Sequence, residues 1–119
     1  FLEIIGNFPY PIAVFERGGA LTMANQAMAQ KAGLRPGDAE GRKIHFFSRL
    51  GAEHADVLRA ARNTFSGETT MVQDLAEPLS LFAGEGFLPD HGDGYRRAVF
   101  FPVFTNRGDI THGVVMLMK

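Results

Sequence analysis

Histidine, arginine and paired carboxylates are the residues of this chain equipped for chemistry, and His54 is the most pointed of them. At about 100° per residue, Val57, Ala61, His54, Phe65 and Leu58 in the run Ala52 to Phe65 share one apolar stripe, with Asp56, Arg59 and Asn63 opposite. The histidine would then face a core near the start of a helix. There the positive helix end disfavours the imidazolium and keeps a ring nitrogen free to bind a metal. The same placement serves a core or capping histidine bonded to a backbone carbonyl, the commoner use of a lone histidine on an apolar stripe. His45 precedes two phenylalanines, His112 lies in the last apolar run, and His91 stands beside Asp90 and Asp93. Asp90-His91-Gly92-Asp93 offers oxygens to a divalent cation, yet it lacks the charge count and spacing of a calcium loop. A solvated turn is expected, and no metal site is assigned. Arg96 and Arg97 open a β-prone run and must alternate to opposite faces. An inward guanidinium would suit a carboxylate or phosphate, so Arg97 is the expected polar ligand contact, against the plainer reading of a surface arginine at a strand end.

Catalysis has no foothold. Ser48, Ser66 and Ser80 stand outside any G-x-S-x-G elbow, no glycine-rich phosphate loop or H-E-x-x-H occurs, and Glu53 and Asp56 fall on an exposed face. No catalytic residue is assigned and an enzyme is not expected.

The elements that must position these residues follow from period and breakers. Leu2, Ile5 and Phe8 have helical spacing before Pro9 and Pro11, which predicts a leading helix over 1–8. Ile12 to Glu16 and Ala20 to Ala24 flank Arg17-Gly18-Gly19 and predict a hairpin. Asn25 is a good N-cap for a helix over Gln26 to Ala32, which Gly33 and Leu34 would close. Arg35 to Gly51 is broken by Pro36, Gly37, Gly41 and Gly51, so short irregular helices are expected there. A strand should begin within Thr69 to Leu75, and Ala76 to Gly94 reads as a long loop with a short β or helical piece at Leu79 to Ala83. Tyr95 to Thr105 and Ile110 to Met118 are strong strands joined by a turn at Asn106 to Asp109. Both faces of these last strands are apolar, whereas a solvated antiparallel sheet shows polar residues on one. One face must pack on the chain's own helices, the other on the leading helix or a partner subunit.

Composition sets the outer bounds. The 119 residues, 45% hydrophobic and 21% charged, suit one domain with one core. A net charge of −1 leaves no footprint for phosphate backbones or anionic membranes, so direct nucleic-acid and membrane partners are not expected. The absence of cysteine excludes disulfides, zinc–thiolate clusters, iron–sulfur ligation and flavin–thiol adducts. No run approaches the roughly 20 apolar residues of a membrane span, and a reducing cytoplasm is the expected compartment. The chain opens at Phe1 and reads as a segment of something longer. Its aromatics are 11 Phe, 2 Tyr and no Trp, a surplus of bulk with few polar handles.

The opening PYPIAVFERGGALTMANQAMAQKAGL, with Asn25, Gly33 and Leu34, and the closing DGYRRAVFFPVFTNRGDITHGVVMLM, with Asp93-Gly94 and Gly108, resemble the two ends of a PAS domain, the sensory module of bacterial signalling proteins and some transcription factors. The resemblance spans nearly the whole chain; the stretch from Ala76 to Gly92 departs from it in length. It implies an α+β fold, a five-stranded antiparallel sheet with short helices packed on one face, over one domain of residues 1–119 with its core at 9–118. It also implies a sensory role: binding a small ligand, or relaying conformational change, to a kinase, cyclase or transcription-regulating output domain, often as a homodimer through the leading helix and outer sheet face. His54 resembles in placement the proximal ligand of haem-binding PAS domains, so a haem-based sensor is one alternative and a ligand-free dimerisation module another. Otherwise no resident cofactor is expected, and the tryptophan often near flavin in redox PAS sensors is missing. The residues expected to line a cavity are His54, Leu58, Phe65, Val99, Phe101, Val103, Val114 and Met116.

Overall fold

The computed structural model describes residues 8–88 and 94–119, so all but Phe8 of the leading helix expected over 1–8, and the Asp90–Asp93 turn, lie outside the described residues. Alternation of β-branched and aromatic residues builds strand β1 (Ile12–Glu16), which turns through Arg17–Gly19 into β2 (Leu21–Ala24). Gly19 sits at φ 94, and a side chain there would run into Phe47. Helix α1 (Gln26–Ala32) starts on the Asn25 cap and ends at Gly33 in the left-handed region, as the sequence predicts. The broken stretch contains a 3-10 turn at Phe46–Arg49. The periodic run from Ala52 begins as a 3-10 turn (Ala52–His54), and α2 proper covers Ala55–Thr64, because no side chain caps its start. Then come β3 (Thr70–Val72), a 3-10 turn at Pro78–Phe82, β4 (Arg97–Phe104) and β5 (Ile110–Met118).

The five strands form one antiparallel sheet in the order β2-β1-β5-β4-β3, which seats the two ends of the described chain side by side at its centre. The helices lie on one face. Register decides what each face presents. Ala98 opposes Leu117 and Phe100 opposes Val115, and all four are buried toward the helices. Val99 opposes Met116 and Phe101 opposes Val114, so these residues, with Val103, point the other way. The inward parity expected for Val99, Phe101, Val103, Val114 and Met116 is thereby corrected. With both faces apolar, a period of two cannot say which face is in; Phe15 settles it. Its ring covers Gly113, where a Cβ would lie 2.4 Å from Phe15 Cζ and 2.9 Å from Thr64 Cγ2, so β1, β5 and α2 close on one another through a missing side chain. Among the described residues no helix is long and apolar enough to cross a membrane.

Candidate functional site

Three features could do work: the interior between sheet and helices, the outer sheet face, and a groove beside the β3–β4 connection. The interior is aromatic. Phe15, Phe46, Phe82 and Phe100 are each no more than 1% exposed. The Phe15 ring lies 5.0 Å from Phe46 and 6.1 Å from Phe100, and Phe46 lies 5.0 Å from Phe82, the spacing of edge-on and tilted aromatic pairs.

His54 stands apart from that cluster. It occupies the N-cap position of α2, and its side chain is 25% exposed. Among the described residues its buried Nδ1 has no hydrogen-bond partner, and Glu53 Oε1 lies 3.3 Å away as a potential ion pair. An unpartnered ring nitrogen favours a ligand at His54, but the packing beside it does not favour haem. Helix α2 meets β3, β4 and β5 through Val57, Ala60, Ala61 and Thr64, and the Thr64 approach to Gly113 closes the layer a porphyrin would need. The residues therefore do not fit a haem between α2 and the sheet. Among the described residues no three potential metal ligands gather.

The other expected site residues divide. Leu58 and Phe65 are on the helical side and half-buried; Phe65 packs 5.8 Å from Phe15, and the Arg17 guanidinium stacks 4.7 Å over its outer face. Arg97 shares the outward face of β4 opposite Met118, and its Nε and Nη2 donate to the Lys119 carbonyl at 3.2 and 2.6 Å. It is a tie between strand ends and does not reach the interior, which corrects its expected inward role.

On the outer face, Val99, Phe101, Val103, Met116 and Met118 are half-buried, and Met71 and Phe104 are 47% and 57% exposed. Val14 and Met23 continue the surface through their cross-strand pairing.

Sequence reasoning missed the third feature. The connection from Leu75 to Leu88 contains a short helical piece close to where the sequence expects one, the 3-10 turn at Pro78–Phe82, and it is laid as a strap over the helical side, which the sequence did not indicate. Leu79, Leu81 and Phe82 are buried, Gly84 N–H donates to Ala32 O at 2.9 Å, and Gly86 N–H donates to Gly33 O at 3.1 Å. Arg49 Nη1 donates to Leu81 O at 3.2 Å and to Ala83 O at 2.8 Å. Asp74 and Glu77 take positive φ of 59 and 49, a backbone cost of about 1 kcal/mol or more each. Beside it, Arg35, Lys43 and Arg49 line a groove of about 520 Å³. The unusual length of this connection was the one signal in the sequence.

No protein-family model and no curated protein matches this chain. Solved structures do. The Vibrio cholerae VqmA dimer, studied without its target DNA and solved elsewhere bound to DPO, superposes with TM-score 0.68 at 17% identity over 99% of this chain, which spans 50% of that one. A Vibrio cholerae sensory box sensor histidine kinase gives 0.60 at 10% identity, covering 97% of this chain and 85% of that chain. The PAS domain of an HTR-like protein from Haloarcula marismortui gives 0.58 at 15% identity, over 98% and 86%. With the strand order and one-sided helices already fixed by the register, that likeness shows that this chain has the PAS fold.

Proposed function

We propose that this PAS domain is a sensory module of a larger signalling protein, acting in the cytoplasm as a homodimer whose outer sheet face passes conformational change to an attached output domain. The apolar outer face of β4 and β5 carries the reading. A sheet side bearing Val99, Phe101, Val103, Met116 and Met118 is more apolar than water-facing antiparallel sheets are, and such surfaces mark protein contacts. A fold shared by a dimeric DNA-binding receptor and a sensor kinase also fits a relay better than a chemistry of its own.

Strands β1 and β5 would be the transmitting parts. Phe15 and Val115 reach the interior while Val14 and Val114 on the same strands reach the outer face. Repacking around Phe15 and Phe46 therefore shifts the backbone that carries the contact surface. A contact that differs by about 1.4 kcal/mol between two packings changes their ratio tenfold. Phe82, carried by the strap, packs on Phe46 in the interior, so rearrangement of the strap is the natural input.

Cysteine cross-linking tests the interface on a clean background, since the chain has no cysteine. In a two-fold dimer a residue near the axis meets its own copy, and a disulfide needs Cα atoms within about 7 Å. Phe101→Cys, Val99→Cys and Met116→Cys form a surface set, of which at least one is expected to give a covalent dimer under mild oxidation, while Arg59→Cys on the helical side does not. All three outer-face variants remaining monomeric would overturn the reading.

A further inference from the structure

We propose that the groove between the 35–43 loop and the strap is a binding site for a small multivalent anion, a di- or tricarboxylate or a phosphate. Its three cations come from separate segments: Arg35 after α1, Lys43 at the end of the loop, and Arg49 in the first 3-10 turn. They face a space of about 520 Å³, within the range of small-molecule sites.

Two carboxylates share the groove, and neither neutralises it. Asp38 Oδ2 accepts the Arg35 backbone N–H at 2.9 Å and so serves the loop. Glu85 meets Arg35 at 3.1 Å, but the side chains are 79% and 67% exposed, a rim pair that water screens and an incoming anion can replace. Lys43 has no ion pair among the described residues. Arg49 uses only Nη1 on the strap carbonyls, which leaves Nε and Nη2 without a protein partner among the described residues. A guanidinium edge, a second guanidinium and an ammonium around one space match two or more anionic oxygens, the geometry in which charge-assisted bonds are strongest. The site stands independently of the outer face, and its occupant would touch the side chain that holds the strap.

A nitrogen–proton NMR titration of the chain at constant ionic strength tests this with citrate, succinate and inorganic phosphate, and with chloride as the monovalent control. Saturable shifts confined to residues 35–49 and 81–86 are expected for citrate or succinate if the anion is a carboxylate, and for phosphate if it is a phosphate. Lys43→Glu, on an exposed side chain, is expected to weaken binding about tenfold or more, as is Arg49→Ala. Should Arg49→Ala unfold, Lys43→Glu and Arg49→Lys carry the comparison. Unsaturated linear shifts up to about 10 mM, saturable shifts elsewhere in the chain, or binding unchanged by Lys43→Glu would each overturn the proposal.

Discussion

At the scale of the residue, Asn25 ties three segments together. Its Oδ1 accepts from Ile12 N–H and Met28 N–H, both at 2.9 Å, and its Nδ2 donates to the Phe8 and Tyr10 carbonyls at 3.3 and 2.8 Å. With the residue only 3% exposed, every hydrogen-bonding position of the amide is used within the protein. Asn25→Ala is expected to cost about 2–4 kcal/mol, because it removes a helix cap and leaves buried backbone groups without partners. That is a large share of the roughly 5–15 kcal/mol such a domain has in hand. Urea unfolding checks it, with the exposed neighbour Gln26→Ala expected within about 0.5 kcal/mol of wild type. The phenylalanine surplus is also resolved at this scale. Phe15, Phe46, Phe82 and Phe100 fill the core, Phe47, Phe65 and Phe87 pack against it, and Phe101 serves the outer face.

At the scale of the element, the strap from Leu75 to Leu88 keeps the short helical piece its sequence foretold, at Pro78–Phe82, and departs from it in packing back over the helical side. The hairpin, α1 with both caps, and the last two strands were legible because each has a local signal: a turn glycine, a capping asparagine, sustained alternation. Local signals did not reach further. The Asn25 cap was visible, but its bonds to Phe8, Tyr10 and Ile12 were not, since they join residues brought together only by the folded hairpin. Strand parity was hidden by two apolar faces, which put Val99, Phe101, Val103, Val114 and Met116 on the wrong side of the expected sheet. The groove was hidden because Arg35, Lys43 and Arg49 meet only after the strap crosses them. Arg49→Gln is expected to loosen that strap alone, by weakening the hold on the Leu81 and Ala83 carbonyls. Amide exchange should then quicken at Gly84 and Gly86 by about tenfold or more while the β4–β5 ladder keeps its protection. Uniform acceleration across the sheet would instead make Arg49 a general stability residue.

At the scale of the whole molecule, the sheet packs one face on the helices and carries an apolar second face, and the second is the reason to propose the domain as a relay. A charge set into that face meets water in a monomer and is buried in a dimer, where an unpaired carboxylate is costly. Phe101, half-buried opposite Val114 at the middle of β4, is the place to put it. Sedimentation equilibrium of the chain and of Phe101→Asp, with far-UV circular dichroism to confirm that both fold alike, tests the account most directly. The expected result is a wild-type dimer whose dissociation constant rises by at least about tenfold in the variant. A wild-type chain that stays monomeric to about 100 μM, or a Phe101→Asp chain that dimerises as tightly as wild type, would contradict it.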